Sequence, residues 1–193
     1  MNSDSDSLSW QHLDSSYDEN AQLLLFRKRI DRVRNPRNQR EFDRLVLESP
    51  DWVNVVALDD LGRCIMVKQY RFGVRYNTLE TPGGMVEKEE NSLQAAKREL
   101  LEETGYSSDS WTYLGAVEPN PAFQSNLCHH WLAKDVQQLQ KPDLDDGEAI
   151  SIALMREEEV RSAVQTGEIK HALALSVLSR VFKLWPLPFE NTP

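Results

Sequence analysis

The sequence predicts an α+β fold, an α/β/α sandwich, on three observations. Short β-branched and apolar runs are separated by turn residues, one internal segment carries signals for both ends of a helix, and two further helical segments close the chain. The 193 residues suit one domain, or one domain with an extension, and can bury a proper core.

Residues 1–9, acidic and serine-rich, read as a disordered tail. Residues 10–47 read as an N-terminal β extension of two or three strands, with a turn at Asn35–Pro36 and a basic run, Arg27–Arg40, taken as a solvated face. Val53–Leu58 and Cys64–Lys68, separated by Asp59-Asp60-Leu61-Gly62, predict a hairpin, and Asn77–Pro82 leads into a Gly-Gly turn. Asn91 can cap a helix over about 92–104, which Gly105 ends in a left-handed position. On that helix Leu93, Ala96 and Leu100 form the core stripe. Trp111–Val117, Cys128–Ala133 and Ala149–Met155 read as strands. A helix from about Arg156 to Gly167 follows, then one over His171–Leu184 with Leu175, Leu178 and Phe182 on its core face. The main domain is expected over 48–185, with 186–193 as a second tail.

A net charge of −9 argues against attraction to nucleic acid or an anionic membrane, although a metal can reverse the field within a carboxylate site. Cys64 and Cys128 lie far apart in or beside apolar runs, as buried thiols in a reducing cytoplasm would. The N-terminus lacks the basic and apolar regions of a signal peptide, and no run approaches the length of a membrane span.

The chemistry is concentrated in residues 84–106. Glu99, Glu102 and Glu103, at i, i+3 and i+4, share one arc of the predicted helix. Carboxylates so crowded repel unless something offsets them, and Mg²⁺ does so because it prefers oxygen ligands. Arg98, four residues before Glu102, can pair with it.

This string is similar to the Nudix box, Gly-x5-Glu-x7-Arg-Glu-U-x-Glu-Glu-x-Gly-U with U apolar. It matches at Gly84, Glu90, Arg98, Glu99, Leu100, Glu102, Glu103 and Gly105, with Tyr106 in the last apolar slot as a mild variant. The resemblance implies a Nudix-type sandwich on a mixed β-sheet and hydrolysis of a diphosphate bond with Mg²⁺, or Mn²⁺. It makes Glu99 and Glu103 direct metal ligands, and Glu102 a ligand to a second ion or a group that orients water. The Gly83 carbonyl would add an oxygen. Glu90 would support the loop through Arg98, and Gly84 would let the backbone approach the ion.

Outside the box, Gln69-Tyr70-Arg71 and Leu79-Glu80-Thr81-Pro82-Gly83-Gly84 resemble the branch acting on ADP-ribose and other nucleoside diphosphate sugars. That resemblance implies Arg71 on the diphosphate and Glu80 facing the substrate. It also places an acid, Glu148 with Asp146 as rival, as a metal contact or water activator on the loop before the last strand. Phe123, His129 and His130 are candidates for the base or sugar, against the reading that the two histidines alternate in and out of a strand. The branch further implies a homodimer whose N-terminal strands reach the partner's pocket, where Trp10 or Phe26 would stack on a base. Dinucleoside polyphosphates and nucleoside triphosphates are the alternative substrates. A non-catalytic nucleotide-sugar sensor is the alternative class.

Overall fold

The computed structural model describes residues 10–17, 25–147 and 149–184, so the two expected tails lie outside the described residues. The chain divides into two compact units, one of 1–50 with 118–126, the other of 51–117 with 127–193.

In the first unit β1 (Gln11–Tyr17), β2 (Arg27–Arg34) and β3 (Glu41–Glu48) form an antiparallel sheet in that order. The turn between β2 and β3 is closed by Asn35, whose N–H donates to the Arg40 carbonyl at 2.9 Å and whose side chain accepts from Arg37 N–H at 2.9 Å. Much of the basic run is paired: Arg29 with Asp31 and Glu48, Arg32 and Arg34 with Glu41.

The second unit holds two three-stranded sheets. In one, β4 (Trp52–Ala57) pairs in parallel with β9 (Cys128–Lys134), which pairs antiparallel with β8 (Ser110–Val117), so the sheet is mixed. In the other, β5 (Cys64–Arg71) lies antiparallel between β6 (Tyr76–Glu80) and β11 (Ile150–Met155). A short ladder joins β7 (Tyr106–Ser107) to β10 (Gln137–Gln138).

The predicted hairpin of 53–58 with 64–68 does not form as a strand pair. The turn is present, with Asp59 accepting from Leu61 and Arg63 N–H at 3.0 and 2.7 Å, but only the Leu58–Cys64 bridge follows it. β4 and β5 then enter different sheets. Turn chemistry is local, whereas β4 is buried on both faces, which suits the parallel pairing it makes with β9 at the end of its sheet.

Helix α1 (Ser92–Thr104) packs over Val53, Val55 and Ile65 through Ala95, Ala96 and Leu100. Helices α2 (Glu157–Gln165) and α3 (Ala172–Ser179) cover Val56, Met66 and Leu132 through Val160, Val177 and Leu178. Because successive β4 side chains point to opposite faces, Val55 and Val56 serve the two cores, which makes the α/β/α sandwich. Two predicted stripes shift by a residue or two. Leu93 is half-buried while Ala95 is buried, and Val177 rather than Leu175 fills the core. The last helix stops at Ser179 instead of Leu184, yet Phe182 and Leu184 are still buried. As expected, His130 points inward, fully buried, and His129 outward.

Candidate active site

α1 forms where its boundary signals place it. Asn91 Oδ1 accepts from Leu93 and Gln94 N–H, Gln94 returns a bond from the Asn91 N–H, and Gly105 closes the helix at φ 74°. The helix thereby lays Glu99 and Glu103 against the Pro82–Gly84 turn. The Pro82 and Gly84 carbonyls accept from Val55 and Val53 N–H at 2.9 Å each, fixing the turn along β4. Gly83 N–H turns the other way and donates to Glu103 Oε2 at 2.9 Å, and Glu103 is 3% exposed. At Gly84 an added Cβ would stand 2.5 Å from Glu99 Cδ, so only a glycine admits that carboxylate.

Arg98 joins the acids. Its Nη1 donates to Glu99 Oε1 at 2.9 Å and Glu102 Oε2 at 3.0 Å. Its Nε and Nη2 grip Glu90 at 3.1 and 3.0 Å, and Nη2 also reaches the Met85 carbonyl at 2.9 Å. The hydrogen bonds from Arg98 hold the Glu90 carboxyl below its ordinary range, and the same carboxylates push the guanidinium above its own. Glu90 thus braces Arg98 and, by accepting from the Glu87 N–H at 3.0 Å, the loop.

The Arg71–Glu80 pair has a geometry the sequence did not reveal. Arg71 Nε and Nη2 donate to Glu80 Oε1 and Oε2 at 2.9 and 2.7 Å, a bidentate bridge between the end of β5 and the end of β6. The Glu80 side chain is 1% exposed and that of Arg71 43%. The Thr78 hydroxyl donates to Glu80 Oε1, and His171 Nδ1, at the start of α3, lies 3.4 Å from Oε2. Burial pushes the Glu80 carboxyl up, but the bonds from Arg71 and Thr78 outweigh it and leave the group below its ordinary value.

The remaining candidates separate. Phe123 stands in the first unit, half-exposed, its carbonyl accepting from Leu47 N–H at 2.7 Å. Trp10 and Phe26 belong to that unit too, with Trp10 edge-on to Phe42 at 5.7 Å. His129 is engaged by Asp51 Oδ2 at 3.1 Å and by the Tyr113 hydroxyl at 2.9 Å. Asp146 is exposed, and Glu148 lies outside the described residues. Burial drives both cysteine thiols up to about 12. Sequence reasoning missed His171 and Thr78. Thr78 carried a usable signal, standing two residues before Glu80 on the same face of a strand, whereas His171 carried none.

Among the described residues no three His, Cys, Asp or Glu side chains enclose an ion by themselves. The donor set nonetheless fits a hard divalent cation: helix carboxylates beside a glycine turn, leaving positions for water and phosphate oxygens.

The model of the NUDIX domain matches residues 48–175. An ADP-ribose pyrophosphatase of Bacillus subtilis is 33% identical over 136 residues, which cover 70% of this chain and 74% of that protein. One from Mycobacterium tuberculosis is 31% identical over 155 residues, 79% of this chain and 74% of its own. A crystal structure of an ADP compounds hydrolase superposes with a TM-score of 0.77 at 19% identity, covering 89% of this chain and 91% of that one, and so shares the fold. Nudix hydrolases in general employ a divalent cation, which the helix carboxylates suit. With the box on its capped helix and residues 48–175 matched by the NUDIX model, this chain belongs to the NUDIX family.

Proposed function

We propose that this Nudix pyrophosphatase hydrolyses the diphosphate bond of nucleoside diphosphate sugars, ADP-ribose first among them, giving AMP and ribose 5-phosphate. GDP-mannose is a second sugar conjugate within the same reading. The observation that carries it is the packing of Glu99 and Glu103 on the Gly83–Gly84 turn, where the Gly83 N–H fixes one carboxylate and the missing Cβ of Gly84 admits the other. The two relatives named ADP-ribose pyrophosphatase support the substrate class.

Glu99, Glu102, Glu103 and the Gly83 carbonyl would hold Mg²⁺, or Mn²⁺ in its place. A cation so held supplies charge neutralisation of the diphosphate and a more acidic bound water. Within the chain, Arg98 keeps Glu99 and Glu102 in one orientation, and its bonds to Glu90 and Met85 fix it in turn. Arg71 presents a permanently charged, half-exposed guanidinium for phosphate oxygens, backed by Glu80. Water attacks a phosphorus, the anhydride P–O bond breaks, and the proton passes to a carboxylate, for which Glu102, Asp146 and Glu148 are the candidates. We take the working species as a cytoplasmic homodimer of chains comprising the 10–47 extension and the 48–185 domain.

The test is phosphatase-coupled turnover with Mg²⁺ on ADP-ribose, GDP-mannose, UDP-glucose, diadenosine polyphosphates and nucleoside triphosphates. AMP release from ADP-ribose that is lost on chelation and in Glu99→Gln is expected. Activity confined to triphosphates or dinucleoside polyphosphates would overturn the substrate class. Nucleotide-sugar binding with no turnover would point to a sensor.

A further inference from the structure

The buried end of the Arg71–Glu80 bridge is a hub with more partners than a salt bridge needs. Glu80 receives two guanidinium N–H bonds, the Thr78 hydroxyl and, at 3.4 Å, the ring of His171. The carboxylate is 1% exposed, so water cannot replace a partner that leaves it. Arg71 is the partner at the surface, and any anion it binds competes with Glu80 for the same N–H groups. A guanidinium that turns toward a phosphate uncovers a Glu80 oxygen in a closed pocket.

His171 is placed to cover that oxygen. It occupies the N-cap position of α3 yet makes no side-chain cap bond. Its Nδ1 lies toward Oε2, the atom that Arg71 Nη2 now holds at 2.7 Å. That nitrogen has no hydrogen-bond partner of good geometry among the described residues. The ring is anchored from behind, since α3 is locked into the core by Ala174, Val177 and Leu178.

We propose that His171 is a positioning residue for substrate binding: it donates from Nδ1 to the Glu80 oxygen that Arg71 releases when the guanidinium turns to an anionic diphosphate. This rests on the reading of Arg71 as the diphosphate clamp. No bond is made or broken and the proton stays on the imidazole. The substrate contact at Arg71 therefore depends on a residue 100 positions later that need not touch the substrate.

The test is steady-state kinetics of the full chain with Mg²⁺ and ADP-ribose, on His171→Leu, His171→Asn, Glu80→Gln and the double variant His171→Leu/Glu80→Gln. Leucine removes the donor, whereas asparagine keeps an N–H close to the Nδ1 position. His171→Leu should raise KM about five- to tenfold, with the loss falling on KM more than on kcat, and His171→Asn should recover most of it. With Glu80→Gln already in place the leucine change should add less than twofold. An unchanged KM in His171→Leu overturns the proposal, as does a KM penalty of the same size in the Glu80→Gln background. A parent enzyme silent on ADP-ribose but active elsewhere in the panel refutes the ADP-ribose reading and, with it, this coupling. Parent turnover with a null His171 effect refutes the coupling alone.

Discussion

Adding one methyl group at Gly84 should separate activity from stability. The Gly84 carbonyl is held by Val53 N–H at 2.9 Å, so the backbone cannot retreat from the helix. A Cβ there would stand 2.5 Å from Glu99 Cδ, where ordinary contact begins at 3.4 Å, so the carboxylate must move by about 0.9 Å. A displacement of roughly 1 Å at a reacting centre costs on the order of 100-fold in rate. Gly84→Ala should therefore lower kcat/KM about 100-fold. The Gly84 φ is one that alanine adopts readily and the obstacle is a side-chain end, so folding stability should change by no more than about 1 kcal/mol. Phosphatase-coupled kinetics and urea melts of Gly84→Ala beside the parent decide the matter. A Gly84→Ala enzyme with a third or more of parental kcat/KM and an intact fold would refute the argument that Glu99 must lie against this glycine.

Two further outcomes concern the scaffold. Leu100, fully buried on the core face of α1, should cost about 2–5 kcal/mol when replaced by alanine, read from the urea midpoint at constant slope. His130 is fully buried with neither ring nitrogen partnered among the described residues, and burial lowers it from 6.5 to about 4. Between those values the unfolded chain takes up a proton that the folded one refuses, so stability falls with falling pH and levels off below about 4. His130 alone should remove about 2 kcal/mol between pH 7.5 and pH 5. His130→Leu should flatten that slope without loss at pH 7.5, and an unchanged slope would show that the imidazole is charged or hydrated in the folded state.

What the sequence disclosed follows the range of the forces involved. α1 was legible to the residue because Asn91, Gln94 and Gly105 act within one turn of its ends. The shared arc of Glu99, Glu102 and Glu103 was legible because helical spacing alone sets it. The pairing of β4 was not, since its partner β9 begins 76 residues after β4 does, and a turn beside Asp59 says nothing about so distant a neighbour. The C-terminal stripe misled in another way: Phe182 and Leu184 are buried as their apolarity requires, but burial does not oblige the chain to stay helical. Arg71 and Glu80 were each singled out, yet their bond to one another depends on the β5–β6 register. The contact of His171 with Glu80 depends on where α3 lands.

The C-terminal end of α1 is tied by its backbone to the segment that carries the loop acids. Gly105 accepts from Leu139 and Gln140 N–H at 2.9 and 3.3 Å, and the Glu102 carbonyl accepts from Asp143 N–H at 2.8 Å. Glu102 therefore anchors the loop with its main chain while its side chain faces Arg98. Up to Asp143 the loop and the helix are one mechanical part, and any change of length there would pull on the carboxylates. After Asp143 a short span leads to Ile150, where β11 takes hold on Gln69. Insertions or exchanges in that short span would reposition Asp146 relative to the helix while leaving Glu99, Glu102 and Glu103 in place, which makes it the natural segment to vary when redesigning the fold.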